Sequence, residues 1–193
     1  MDKEINVILQ DIEKALDYSL PDKADARWIS SSFGKGSFSE DNFITLIEPN
    51  KNLIKLGGKR WRPLLMILYY LNEKNEGKLS YETACALTPL VEFVHTASLI
   101  HDDIEDGADL RRGKPAAHIT YGIDTAINSA SWLYFEASAC IENQNISDKT
   151  KHDNNRTMYF ITDLSVFLIA SLLIVKQHRI PPLELYHTLL GVT

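Results

Sequence analysis

Apolar residues recur at three- and four-residue steps along most of this chain. The first segment shows the pattern clearly, with one face formed by Ile5, Ile8, Leu9, Ile12 and Leu16. That spacing is typical of an amphipathic helix, and Pro21 is expected to close it. No stretch longer than four residues alternates as a strand does, and there is no internal repeat. The pattern predicts an all-α helical bundle, with residues 1–193 forming a single domain.

Further helices are expected between breaks of glycine, proline and polar residues. They cover residues 43–56, 63–72, 80–105, 123–141 and 183–190. The Ser- and Gly-rich stretch 28–39 and the polar stretch 142–156 are expected to be loops. Pro49 is expected to interrupt its helix or mark its boundary, Pro89 to kink the longest helix, and Gly57 to stop the second.

The most apolar segment, residues 158–175, allows two interpretations. Its length is near the lower limit for a helix that spans a membrane. Asp163 lies within it, and an ionised carboxylate is costly in lipid. A buried helix is therefore favoured over a membrane helix.

Composition narrows the class of protein. The chain has 193 residues, 45% of them apolar, and a formal net charge of −6. This length suits one domain, and the acidic balance argues against a nucleic-acid partner. Cys85 and Cys140 lack metal-type spacing, so free thiols are expected rather than a disulfide. The N-terminus does not have the pattern of a signal peptide, which favours a cytoplasmic protein without firm membrane association.

Acidic side chains cluster near the end of the longest predicted helix. His95, Asp102 and Asp106 are spaced to lie on one helical face, and Asp103 and Glu105 flank it. Such a cluster repels itself, and oxygen ligands favour a hard cation such as Mg²⁺. The alternative is a solvated acidic helix end.

Two arginines follow this acidic face within a short connection. Arg111 and Arg112 precede Gly113, and guanidinium groups beside a carboxylate–Mg²⁺ cluster suit a diphosphate ligand. The alternative is a simple salt bridge in which Arg111 or Arg112 neutralises Asp109.

A second basic cluster lies upstream, in the segment GGKRWRP that begins at Gly57. Lys59 and Arg62 stand at the start of a helix, where anions are favoured, and are candidates for a second diphosphate. A solvated basic turn is the alternative. Two anion sites beside one metal site would imply two phosphorylated substrates.

Three segments together resemble the trans-polyprenyl diphosphate synthases. They read GGKRWRP, FVHTASLIHDDIEDGADLRRGKPAAH and YGIDTAINSASWLYFEA, in family order over about residues 53–137. The resemblance implies the helical isoprenoid-synthase fold and an enzyme of isoprenoid biosynthesis, a prenyltransferase. Its reaction would condense isopentenyl diphosphate with an allylic diphosphate to give a longer trans-polyprenyl diphosphate. The expected assembly is a homodimer or, if the chain is a partner subunit, a heterodimer with a full-length synthase.

The resemblance also implies roles for individual residues. Asp102 and Asp106 would bind Mg²⁺ with help from Asp103, and Arg111 would hold the allylic diphosphate. The isopentenyl diphosphate would be bound by Lys59, Arg62, His95 and Arg112. The allylic diphosphate would ionise, the isopentenyl double bond would attack the cation, and a proton would be lost.

Product length is predicted from two small residues. In the resembled family, the positions four and five before the first aspartate help form the floor of the substrate pocket. Here they are Ser98 and Ala97, which would leave the pocket open and predict a product of C20 or longer. The alternative is ordinary close packing of helices at small residues.

The sequence departs from the family after Asp153. The only acidic residues beyond it are Asp163 and Glu184, so the second aspartate-rich motif is missing, as are the Gln and Lys-Thr motifs. Residues 180–193 again resemble the family. One hypothesis is a truncated chain with an altered patch at 155–178. A second is a non-catalytic partner subunit, and a third is a membrane-tethered interaction protein. Activity of the chain alone is left open.

Overall fold

A computed structural model describes residues 2–36, 38–72 and 80–144. The helices are α1 Asp2–Ser19, α2 Ala26–Phe33, α3 Ile44–Lys55, α4 Trp61–Asn72, α5 Tyr81–Ala86, α6 Thr88–Glu105, α7 Ala117–Tyr121 and α8 Ile123–Glu142. A 3-10 turn, Glu40–Phe43, precedes α3, and the antiparallel pair β1 Leu110–Arg111 and β2 Lys114–Pro115 follows α6. The prediction of an all-α fold is confirmed for these residues, apart from that two-residue pair.

Helix α6 lies in the core and packs most extensively on α8. Phe93, Ala97 and Ile100 of α6 are fully buried, as are Ala130 and Leu133 of α8. Small residues let the two helices approach closely, and burial of a side chain such as Phe93 contributes about 2 kcal/mol. This packing fixes the position of the polar C-terminal end of α6.

The strongly periodic helices agree with their predicted bounds to within a few residues, but two proline predictions are wrong. Pro49 lies inside α3 without interrupting it. The buried Asn50 amide strengthens that turn, since Nδ2 donates to the carbonyl of Leu46 at 2.9 Å and to that of Ser129 on α8 at 2.8 Å. Pro89 does not kink one long helix but stands in the first turn of α6, after a break at Leu87. A first-turn residue has no helical acceptor for its N–H, so proline is tolerated there.

The prediction of a loop over 28–39 is also wrong for its first part. Asp25 caps α2, its Oδ1 accepting a hydrogen bond from the Trp28 amide at 2.7 Å. Trp28 and Ile29 are buried, and the Trp28 ring makes edge contacts with Phe43 and others. This aromatic burial outweighs the weak helix propensity of the serines.

One stretch of the described residues, Tyr81–Glu105, is long and apolar enough to cross a membrane, with a mean hydropathy of 1.3. Because 67% of its most apolar 18-residue window is buried inside the protein, it is a core segment of this fold. The apolar segment 158–175 and the predicted helix 183–190 lie outside the described residues, as does the loop 142–156 from residue 145 onwards. Cys85 and Cys140 are buried and free.

Candidate functional site

The C-terminal part of α6 presents the acidic cluster. Asp102 is half-buried, Asp106 caps the exposed end of the helix, and Asp103 is only 1% exposed. His95, two turns earlier, is half-buried as well. Asp103 therefore points inward rather than flanking an exposed acidic face, because an adjacent residue on a helix is turned by about 100°.

Arg111 on β1 folds back onto this cluster. Its Nε donates to Asp103 Oδ1 at 2.8 Å, and its Nη2 donates to Asp102 Oδ2 at 3.0 Å and to Asp103 Oδ1. The interpretation in which Arg111 neutralises Asp109 is wrong, since its carboxylate partners are Asp102 and Asp103. The hydrogen bond to Asp103 raises the pKa of Arg111, although burial opposes this. Asp103 Oδ2 stays buried without a hydrogen-bond partner among the described residues.

A tight hairpin turn between β1 and β2 positions the second arginine. Its two central residues, Arg112 and Gly113, both have positive φ, 52° and 76°. That combination is typical of a type I′ turn and costs about 1 kcal/mol at a residue with a β-carbon. The Arg112 guanidinium reaches Gly58, where a β-carbon would lie 3.3 Å from Nη2. The two predicted anion-binding segments are therefore in contact.

Of the three cations in the GGKRWRP segment, Arg60 is structural. It is 5% exposed, and its Nε donates to Glu13 of α1 and its Nη1 to Glu92 of α6, both at 2.7 Å. Its Nη2 donates to the carbonyl of Ile54 at the end of α3 at 2.8 Å. Sequence reasoning missed this network. The signal was Glu92, a carboxylate within an apolar helix that required a buried cation.

The remaining cations surround His95. Burial, together with the charges of Arg62, Arg112, Arg111 and Arg60, lowers the pKa of His95 to about 4. Burial also lowers the pKa of Arg62 and of Arg112. Arg60 and Arg111 have carboxylate partners, whereas within the described ranges no salt bridge forms to Arg62 or Arg112. Lys59 is exposed beside them. The cluster carries a surplus of positive charge and suits an anion.

The acidic cluster fits an incomplete site for a hard divalent cation. No group of three or more His, Cys, Asp or Glu side chains that could hold a metal ion occurs in the described part of the chain. Mg²⁺ commonly uses only one or two carboxylates and takes its other ligands from water and phosphate oxygens. The donors here are all carboxylate oxygens, and Asp103 Oδ2 is unsatisfied. A cavity of about 220 Å³ adjoins it, lined in part by Asp103, Arg111 and Lys114.

Comparison with known proteins gives a consistent result. The Polyprenyl synthetase family model matches residues 44–167. A short chain isoprenyl diphosphate synthase from Methanocaldococcus jannaschii is 41% identical over 92 residues, which are 48% of this chain and 27% of that protein. A geranylfarnesyl diphosphate synthase from Aeropyrum pernix is 45% identical over 87 residues, 45% of this chain and 26% of that protein.

A solved structure is similar over a longer range. The crystal structure of a geranyltranstransferase from Thermotoga maritima has a TM-score of 0.58 and 30% identity, covering 81% of this chain and 51% of that chain. The aligned segments thus span about a quarter of the length of the curated relatives and about half of the solved chain.

Proposed function

Because this chain belongs to the Polyprenyl synthetase family, we propose that it binds isopentenyl diphosphate and an allylic diphosphate side by side. The reaction is the prenyltransferase condensation that joins them into a longer trans-polyprenyl diphosphate. The observation that carries this proposal is the positive cluster around His95, in which Arg62 and Arg112 lack carboxylate partners in the described part of the chain. An anion with several oxygens would satisfy both guanidinium groups.

The isopentenyl diphosphate is assigned to Lys59, Arg62, His95 and Arg112. The lowered pKa of His95 keeps its imidazole neutral at pH 7, so it acts as a hydrogen-bond donor rather than as a cation. Arg62 and Arg112 supply the charge. Arg112 reaches this position because the hairpin turn holds it against Gly58.

The allylic diphosphate is assigned to the acidic side. Asp102 and Asp106 would hold Mg²⁺, the ion that the family uses, and Asp103 orients Arg111. Mg²⁺ would neutralise charge on the departing diphosphate. Arg111 donates to Asp102 and Asp103 through Nε and Nη2, and Nη1, which donates to neither carboxylate, faces the diphosphate in this proposal.

The chemistry needs charge stabilisation more than proton transfer. The allylic C–O bond breaks and its electron pair leaves with the diphosphate, whose charge Arg111 stabilises. The double bond of isopentenyl diphosphate then forms the new C–C bond, and a proton is lost. Cationic groups that are already in place are effective here because they need no rearrangement as charge develops.

Product length of C20 or more remains a proposal. Ala97 is fully buried in α6, and Ser98 is half-buried, its hydroxyl donating to the carbonyl of His95 at 2.8 Å. We expect Ala97→Phe or Ser98→Phe to shorten the product in an active form of the enzyme. Ser98→Phe is the safer substitution, since a phenyl ring at Ala97 would overpack the core. Unchanged product length in both variants would contradict the proposal.

A second candidate function is that of a partner subunit. Residues 154–193 have only two acidic residues, Asp163 and Glu184, and contain no second aspartate-rich motif. A chain that binds diphosphates without turning them over would suit a non-catalytic partner of a full-length synthase. In that case it would form a heterodimer rather than a homodimer. Its cytoplasmic location stays a prediction.

One experiment tests both candidates. The purified chain is incubated with Mg²⁺, labelled isopentenyl diphosphate and a series of allylic diphosphates, and both binding and elongation are measured. We expect Arg62→Ala and Arg112→Ala each to weaken isopentenyl diphosphate binding about tenfold, the loss of one charge-assisted hydrogen bond. Arg27→Ala, an exposed arginine on α2, is the matched control.

The outcomes separate the candidates. Elongated product supports the enzyme, and binding without product, even with every allylic diphosphate, supports the partner subunit. Failure to bind isopentenyl diphosphate, or equal losses in the Arg27→Ala control, would overturn the proposal.

A further inference from the structure

A second, larger cavity lies on another side of the described fold. It has a volume of about 800 Å³ and lies between α1, α2, α5 and α8. Trp28, Cys85, Glu136 and Cys140, all buried, lie along its floor. None of the residues assigned above to diphosphate or Mg²⁺ binding lines it. Its size is in the range of small-molecule sites in proteins.

Glu136 is the unusual group on this floor. It is 4% exposed, and its Oε1 accepts a hydrogen bond from the Ser32 hydroxyl at 2.7 Å. Within the described residues no cation lies in salt-bridge range of it. Burial raises the pKa of Glu136 to about 7, against which the Ser32 hydrogen bond acts. A carboxylate that is buried with one hydroxyl donor gains from a cationic partner.

The cations at the rim of the cavity are already engaged elsewhere. Lys14 pairs with Asp11 at 2.8 Å. The guanidinium carbon of Arg27 lies 4.0 Å from the centroid of the Tyr18 ring, and its Nη2 donates to the Tyr18 carbonyl at 3.1 Å. Neither of these cations compensates the ionised form of Glu136.

The other charged groups of the lining balance one another, since Asp11 and Glu82 oppose Lys14 and Arg27, so Glu136 supplies the net negative charge when it is ionised. Glu82 on α5 adds a further carboxylate at the rim. Tyr81 donates to Asp11 at 3.2 Å, and burial raises its pKa. Burial also raises the pKa of the Cys85 and Cys140 thiols, which therefore stay neutral at pH 7.

We propose that this cavity is a binding site for a small organic cation with an apolar body, whose ammonium group pairs with Glu136. The floor and walls supply apolar and aromatic surface, including Trp28, Tyr81 and Ala86. A bare metal ion would leave that surface uncovered, and the described residues offer no group of three metal ligands. An amine with an aromatic body would both fill the space and compensate the buried charge. This inference is independent of the proposed diphosphate site.

A matched pair of probes tests the inference on the full chain. 2-Phenylethylamine and 2-phenylethanol differ only in the ammonium group, and binding is measured by calorimetry at pH 8. We expect the amine to bind at least tenfold more tightly than the alcohol. Glu136→Gln should abolish that preference, whereas Glu48→Gln, the same change at an exposed site on α3, should preserve it. Equal binding of amine and alcohol, or a preference that survives Glu136→Gln, would overturn the inference.

The pH dependence of amine binding tests the role of Glu136 without replacing its side chain. Amine affinity should rise between pH 6 and pH 8, because Glu136 loses its proton in that range while the amine stays charged. Ser32→Ala removes the hydrogen bond that lowers the Glu136 pKa, so it should move the midpoint of this rise to higher pH. A pH-independent affinity, or a midpoint that Ser32→Ala does not move, would contradict the assignment to Glu136.

Discussion

Arg60 has a structural role that Lys59 and Arg62 do not share. Lys59 and Arg62 are available to a ligand, whereas Arg60 is held by Glu13, Glu92 and a backbone carbonyl. The three residues are adjacent in the sequence and chemically similar, so no local pattern separates them. The distinction depends on Glu13 and Glu92, which lie 47 and 32 positions away along the chain. The sequence therefore predicted a basic cluster correctly but could not predict which cation is buried.

Removal of Arg60 should destabilise the protein strongly. Arg60→Met leaves Glu92 buried without its partner, and we expect a loss of about 3 kcal/mol in the free energy of unfolding. Arg60→Met/Glu92→Leu should recover about 2 kcal/mol of it, since no buried uncompensated charge remains and the Glu13 side chain is partly exposed to solvent. Urea unfolding measures both values. Lys59→Ala, the control at an exposed residue, should stay within about 0.5 kcal/mol. A similar loss in the free energy of unfolding for Lys59→Ala would contradict the structural role assigned to Arg60.

At the scale of elements, periodicity and helix stops predicted the long helices well. The missed elements are short, and tertiary contacts decide them. Helix α2 forms because Trp28 packs into an aromatic cluster, and the two-residue strands form because Arg111 returns to the carboxylates of α6. Gly113 was the visible signal for the hairpin, but an Arg-Gly pair is a weaker turn signal than Asn-Gly.

The hairpin turn should be sensitive at Gly113, whose φ is 76°. Gly113→Ala places a β-carbon in a left-handed conformation, and we expect it to cost about 1 kcal/mol of stability and to weaken diphosphate binding by displacing Arg112. Gly113→Asn should be tolerated better, because Asn adopts this conformation more readily. Thermal unfolding and isopentenyl diphosphate titration of both variants check this. Equal behaviour of the two variants would show that the backbone conformation is not the cause.

The cap of α2 gives a second prediction for an element. Asp25→Ala removes the acceptor for the Trp28 amide, and we expect a loss of about 1 kcal/mol in the free energy of unfolding. Asp25→Ser retains a capping oxygen and should lose less. Urea unfolding with Trp fluorescence measures the difference. If Asp25→Ser were no more stable than Asp25→Ala, capping would not explain the helix.

For the molecule as a whole, the sequence motifs predicted that two candidate anion-binding segments lie close together, and the contact of Arg112 with Gly58 agrees with that proximity. The motifs could not predict which arginines of the site are paired with carboxylates. Asp103 pairs with Arg111 and Glu92 pairs with Arg60, so among the described residues the unpaired positive charge of this cluster is that of Arg62 and Arg112. Such a pairing depends on which side chains are buried together, and the spacing of a motif does not contain that information.

His95 and Glu136 should make opposite contributions to the pH dependence of the protein's stability. His95 takes up a proton near pH 4 in the native state and near 6.5 when unfolded, so it destabilises the protein as the pH falls through that range. Glu136 loses its proton near 7 in the native state and near 4.5 when unfolded, so it destabilises the protein as the pH rises. Urea midpoints are compared with those of the parent at pH 5 and pH 7. The midpoint of His95→Gln should improve relative to the parent more at pH 5 than at pH 7, and that of Glu136→Gln should improve more at pH 7 than at pH 5. Shifts in the same direction would contradict these assignments.

The network below the GGKRWRP segment has a kinetic consequence. Arg60 holds that segment against α1, α3 and α6 in the absence of an anion, so the backbone at Lys59 and Arg62 is preorganised. The entropy cost of ordering the segment is therefore part of folding and not of binding. Association with a diphosphate should then be limited by diffusion in the field of the arginines, not by closure of a loop. Its rate constant should fall steeply as ionic strength rises, while the dissociation rate changes little. Stopped-flow measurements across a salt series would reveal this as a single bimolecular phase.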